Sequence, residues 1–305
     1  MTLRCILNYP DQTSVALTKC LRFTLLRERY LPFAQLSVQF AAEAQVQMPC
    51  EIILELDGTR LHQGLVLKAS CTREKGQWIF RSSSRSYTAV LTKNQLVPGI
   101  HSNVSLQSLM ETYHLPNITY DSGTGTINYI YVKENAAMWD TVIAYNYKLC
   151  GGFPYIRVPN MLCMMPQAGT TPVVLPADQV IAAGCGGDCS EMLSRVDMAN
   201  AAGEYGAFTL SNPEAVSRNI VRVRQITLDK QYLYAPEDAL RFRIALSNRK
   251  MRTETVIYAG YCGEDIEDLV QIGTQSARVS RILLSGDMNG LRTEDSFYFD
   301  PFCNT

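Results

Sequence analysis

Three histidines, His62, His101 and His114, are the only imidazoles in the sequence, so a cysteine or serine hydrolase written into this chain would have to use one of them. A nucleophilic thiol or hydroxyl needs that base within hydrogen-bond reach and a third group to orient it. His62 falls inside an alternating run that reads as a hairpin, and His101 and His114 flank a short amphipathic stretch. None stands in a nucleophile setting, and all three read as surface or interface residues. The Gly-x-Ser-x-Gly elbow, the phosphate loop and the His-Glu-x-x-His motif do not occur in the sequence. Paired carboxylates are the other route to hydrolysis, and Glu264-Asp265-Ile266-Glu267-Asp268 is the obvious acidic cluster. Acids this close in sequence are expected to form a solvated turn or a helix start.

Of ten cysteines, only Cys185 and Cys189 lie close together, and they lack the two-residue spacing and the second pair of a zinc site. The cysteines read as reduced structural thiols, with a redox or metal role at Cys185 and Cys189 as the alternative. No catalytic, cofactor-binding or metal-ligating residue is assigned. Two pairs of arginines, Arg222 with Arg224 and Arg241 with Arg243, recur at two-residue spacing, which on strands would place each pair on one face. They are interface candidates, weighed against a solvated outer face. Tyr232, Tyr234 and Tyr258 are candidate interface anchors, weighed against core packing.

The elements that must position these residues are mostly strands. Between Glu51 and Leu56, apolar Ile52, Leu54 and Leu56 alternate with Glu51, Ile53 and Glu55, and Asp57-Gly58 supplies a hairpin turn. Leu65, Val66 and Leu67 resume after Gly64, and Trp78, Ile79 and Phe80 follow the charged turn Arg73-Glu74-Lys75-Gly76. This is the meander of a small closed or nearly closed barrel. Residues 103–114 predict a short helix, 126–132 a strand, 133–150 a longer helix stopped by Gly151-Gly152, and 153–165 a hairpin turned by Pro159-Asn160.

From 166 to 216 the pattern is poor, with a short helix expected at 192–198 and the rest read as loop or extended arm. Beyond it, strands are expected at 220–226, 240–244, 255–258, 277–285 and 296–299. The fold class is therefore mainly β with an α+β insertion: two similar small tube-like β-barrels flanking a strand-helix-strand module. The expected divisions are 1–90, 91–165, 166–217 and 218–305.

Length and composition agree: 305 residues, 47% hydrophobic and 19% charged, can bury two substantial cores. A net charge of -1 gives the whole chain no electrostatic footprint for nucleic acid or an anionic membrane, although local arginines are a separate matter. The N-terminal apolar run is too short for a signal peptide, and no stretch approaches the roughly 20 apolar residues of a membrane helix, so synthesis in a bacterial cytoplasm is expected.

The order of barrel, helical insertion and second barrel, with Asp57-Gly58 and Gly64 in the first hairpin and Arg85-Ser86 after it, resembles the baseplate hub proteins of contractile phage tails, including the Mu-like tail hubs, and related injection systems. The likeness is best over the first 165 residues, and Ser84 stands where family members usually carry Gly before the Arg-Ser pair. The resemblance implies a non-enzymatic virion protein: a homotrimer whose six barrels face a hexameric tail tube and whose threefold face meets the spike. The tape-measure protein and surrounding baseplate proteins are further partners it implies, with the tail baseplate as location. A carbohydrate- or protein-binding tail module and a wall hydrolase are the alternative readings.

Overall fold

The computed structural model describes residues 2–122, 124–165, 171–232 and 235–298. The first β region contains β1 (Leu3–Asn8), β2 (Ser14–Leu17), β3 (Lys19–Glu28), β4 (Gln35–Ala42), β5 (Glu51–Leu56), β6 (Thr59–Glu74) and β7 (Gln77–Ser86). Its turns follow the expected chemistry. Asp57 and Gly58 have φ of 47° and 82°, and Lys75 and Gly76 have 49° and 89°, the positive pairs of two-residue hairpin turns whose twist matches that of the strands. Gly64 answers a different need, because a Cβ built there would sit 2.1 Å from the Arg85 carbonyl oxygen of the neighbouring strand. The β6 backbone can approach β7 this closely only with hydrogen at that position.

These strands pair in the order β3-β4-β7-β6-β5-β1-β2, and β2 runs on through Thr18 into β3, so the run of strands returns on itself. Alternate residues point inward. Phe23, Leu25, Leu36, Val38, Phe40, Ile52, Leu54 and Phe80 are buried in one core, closed by Leu284 from near the C-terminus.

The insertion holds β8 (Gly99–Ser105), α1 (Leu106–Met110), β9 (Thr119–Tyr120), β10 (Thr126–Val132), α2 (Met138–Cys150), β11 (Tyr155–Arg157) and β12 (Met161–Cys163). Ser105 and Ser108 cap α1 reciprocally, and Gly151 ends α2 in the left-handed conformation at φ 70°. Met138, Trp139, Val142 and Tyr145 of α2 pack on Ile130, Val132, Leu106 and Phe153 to make a second core. The longer helix and the hairpin match expectation, whereas the helix expected over 103–114 is confined to Leu106–Met110, because residues 103–105 end β8.

The third quarter does not. It contains β13 (Val173–Val174), β14 (Val180–Gly186), β15 (Arg195–Met198), β16 (Phe208–Ser211), α3 (Pro213–Ser217), β17 (Val223–Ile226) and α4 (Pro236–Asn248). Residues 195–198 are a strand rather than a helix, because β15 is the buried centre of a three-stranded sheet between β16 and β17. Residues 240–244 are helical rather than extended. Pro236 opens α4, Glu237 and Asp238 occupy its first turn, and Ala239 and Leu240 are buried in a core that Ile244 also joins. A helix face thus overrides the local alternation of Leu240 to Ile244.

The chain closes with β18 (Thr253–Ala259), β19 (Leu269–Ile272), β20 (Gln275–Arg278), β21 (Arg281–Asp287) and β22 (Gly290–Tyr298). The two β regions share one sheet: β21 pairs antiparallel with β3 from Arg281–Glu28 to Asp287–Arg22. The result is an eleven-stranded sheet in the order β14-β18-β22-β21-β3-β4-β7-β6-β5-β1-β2.

Candidate assembly interface

The three histidines lie apart in different settings, and only His62 is buried. His62, expected at the surface, is buried on β6, with Nε2 2.9 Å from Ser84 Oγ, and burial together with the nearby Arg27 charge pushes its pKa down to about 3. The ring is therefore neutral at any ordinary pH. The Nε2 of half-buried His101 lies 2.7 Å from the Val97 carbonyl oxygen, and His114 is exposed.

The acidic cluster also corrects its expectation, since Glu264, Asp265 and Glu267 are buried rather than solvated. Asp265 accepts hydrogen bonds from Arg27 Nη1 at 2.7 Å and from the Val158 N–H at 2.8 Å. Arg157 pairs with Asp268 at 2.7 Å, and Arg29 with Glu267 at 3.0 Å. Glu264 accepts from the Tyr258 hydroxyl at 2.6 Å. One loop of carboxylates therefore ties β3, the β11–β12 hairpin and the C-terminal strands together. Burial raises the pKa of Glu264 and of Glu267, and pushes that of nearby Asp295 up to about 8, with the Glu264 charge adding to the shift. These acids are structural.

Cys185 is exposed on β14, Cys189 is half-buried, and all nine described cysteines are free thiols. Among the described residues, no group of three His, Cys, Asp or Glu side chains is placed to hold a metal ion. No described helix is long and apolar enough to cross a membrane.

The structure separates the proposed interface residues. Arg224 is exposed on β17, and Arg222, exposed just before it, donates from Nη1 to the Cys189 carbonyl at 2.7 Å. Arg241 and Arg243 sit on α4, so two-residue spacing turns them to different sides: Arg241 pairs with Glu237 at 3.1 Å and Arg243 with Asp229 at 3.5 Å. They form no stripe with the first pair. Tyr232 and Tyr258 are buried inside this chain, Tyr232 edge-on to Tyr147, and so take the core reading rather than the exposed-anchor one. Tyr234 lies outside the described residues.

Sequence reasoning missed β14. It stands at one end of the eleven-stranded sheet, bonded on one side to β18 alone, and every residue from Ile181 to Gly186 is exposed, with Ile181 at 61%. Its run Val-Ile-Ala-Ala-Gly-Cys-Gly contains no charge and no proline, the devices by which edge strands ordinarily refuse partners. That absence was the available signal, hidden within a stretch rich in glycine and alanine. At the other end of the sheet, Ser14, Val15 and Ala16 of β2 are exposed as well. A row of unpaired backbone N–H and C=O groups on an uncharged edge is a template for another strand.

The arrangement as a whole has counterparts among solved structures. The tail protein from Neisseria meningitidis MC58 superposes with a TM-score of 0.74 at 11% identity, over 99% of this chain and 98% of that one. The fold is that of phage tail proteins. The 43 kDa tail protein of prophage MuSo2 from Shewanella oneidensis shares the tail-protein fold at a TM-score of 0.69 and 13% identity, again over 99% and 98% of the two chains. The E. coli c3393 protein, described as a type VI secretion component with structural similarity to the T4 tail proteins gp27 and gp5, matches at a TM-score of 0.56 and 8% identity, over 93% of this chain and 74% of that one. No protein-family model matches this chain. No curated protein matches it by sequence.

Proposed function

We propose that this tail-fold chain is a structural baseplate hub, a ring-forming homotrimeric adaptor between a sixfold tail tube and a threefold spike. The observation that carries the reading is the single sheet spanning both β regions and ending on the uncharged, open edge of β14. Each chain then offers two β units to a ring, and head-to-tail contacts between unlike edges close into a ring when the rotation per subunit allows it. The tube and spike proteins are the direct partners in this reading. Tape-measure and neighbouring baseplate proteins are secondary ones, and the tail baseplate of a virion or injection particle is the location. The role in this reading is non-enzymatic, which the burial of His62 and the pairing of Asp265 and Glu267 with arginines support.

The edge is tested by replacing Ile181 and Ala183 together with lysine and measuring mass by sedimentation. The expected result is a trimer for the natural chain, alone or with the spike protein added, and a monomer for the variant under the same condition, with stability changed by no more than about 0.5 kcal/mol, as for other exposed substitutions. Trimers that survive both lysines would show that β14 is not the contact.

A further inference from the structure

The face of the central sheet opposite the core carries an order that the hub reading does not use. Because side chains alternate along each strand, the paired residues of adjacent strands line up in rows across the sheet. One row runs Ser285, Thr24, Ser37, Ser83 and Lys68 over β21, β3, β4, β7 and β6, and Arg292 of β22 extends it next to Ser285. The next row runs Asp287, Arg22, Gln39, Arg81 and Ser70 over the same strands. Between them lies a trough of about 710 Å³ whose lining includes Arg22, Lys68 and Arg81 and no carboxylate. Glu74 holds Arg81 from the rim at 2.8 Å, and Asp287 stands at the end of the second row beside Arg22. Three cations thus line the trough, with Arg292 beyond its β21 end and two carboxylates at its rim, in a chain whose net charge is -1.

We propose that this trough binds the phosphodiester backbone of nucleic acid without reading its sequence. Charge complementarity and the donor set argue for an oxyanion ligand: hydroxyls and one amide stand between Lys68 and Arg22, which lie roughly 15 Å apart at the usual strand spacing. The backbone argues for a ligand that carries charge on its own chain. β3, β4 and β7 are interior strands paired on both sides, so an acidic peptide finds no free N–H or C=O to add to as a strand. Phe23 is buried on the core side and the trough wall bears no exposed ring, so bases have nothing to stack on. Contacts of this kind position a phosphate chain and leave its sequence unread.

The test is fluorescence anisotropy of the purified full chain with a dye-labelled single-stranded oligonucleotide of mixed sequence, and in parallel with a dye-labelled polyglutamate peptide. The expected result is binding to the oligonucleotide, insensitive to base composition, with a log–log salt slope of about −2 for three phosphate contacts. Arg22→Glu with Lys68→Glu weakens binding at least about tenfold, and Lys93→Glu, an exposed cation elsewhere on the chain, leaves it unchanged. If the double charge reversal lowers the melting temperature, Arg22→Gln with Lys68→Gln is measured in its place and is expected to weaken binding in the same direction. Absence of binding at low salt, equal affinity for polyglutamate, or a folded double variant that binds like the natural chain overturns the proposal. Each of these outcomes is read without reference to oligomer mass, so failure here is distinct from failure of the hub reading.

Discussion

At Asp265 two oxygens hold together parts of the chain that are more than a hundred residues apart, Arg27 on β3 and the Val158 amide beside the β11–β12 hairpin. Arg27 is 3% exposed, so removing its partner leaves a buried guanidinium whose remaining hydrogen bond among the described residues is to the Tyr261 hydroxyl at 3.1 Å. Asp265→Ala is expected to cost about 3 kcal/mol or more, read as a lowered midpoint in denaturant unfolding. Asp295 behaves oppositely, because neither of its buried carboxylate oxygens has a hydrogen-bond partner among the described groups. Its pKa is raised from 3.8 to about 8, so the stability tied to its protonated form is whole below 3.8 and is lost as pH rises through about 8. Asp295→Asn is expected to stabilise the protein by about 1–3 kcal/mol at pH 8.5 and to flatten the alkaline side of its melting profile. His62 sets the acid side: its pKa is lowered from 6.5 to about 3, so the stability it supplies is whole above 6.5 and falls away as pH drops toward 3. Asp295 runs the other way over the same window, so the readout is a comparison: a folded His62→Asn variant whose melting temperature changes between pH 7 and pH 4 just as the natural chain's does would contradict that assignment.

Among the elements, the turns of the β5–β6–β7 meander were legible, since Asp57-Gly58 and the turn ending in Gly76 announce a backbone requirement that few other residues meet, whereas the close approach at Gly64, inside β6, and the burial of His62 on the same strand were not. Gly64→Ala forces β6 away from β7 and is expected to cost about 2 kcal/mol or more, with melting as the readout. The insertion was legible for a similar reason: its helices carry caps and a glycine stop. The third quarter was opaque. Its strands are short and pair with partners distant in sequence, β13 with β19, β14 with β18 and β15 with β17, so no local period marks them. At α4, alternating Leu-Arg-Phe-Arg-Ile imitates a strand, and the helix is betrayed only by Pro236 and the acids behind it. The ion pair this helix makes possible is a weak one. Arg241 and Glu237 are both well exposed, and Arg241→Ala is expected to change stability by no more than about 0.5 kcal/mol, within the spread of ordinary surface substitutions. The buried acids were misread because sequence shows that Glu264 to Asp268 are charged but not that Arg27, Arg29 and Arg157 converge on them.

For the whole molecule, the decisive feature is that the chain's beginning and end share one sheet across the β3–β21 pairing. Two β regions separated by more than a hundred residues are thereby joined in one sheet. Both free ends of that sheet are left uncharged and exposed, which a chain acting alone would be expected to blunt. Self-association into a closed ring is therefore the central claim. The measurement that tests it most directly is the mass of the purified chain by light scattering over a range of concentrations, alone and with the spike protein present. A mass three times that of the 34.1 kDa chain, reached alone or on adding spike, is the predicted result. A mass that stays at one chain under every condition would contradict it.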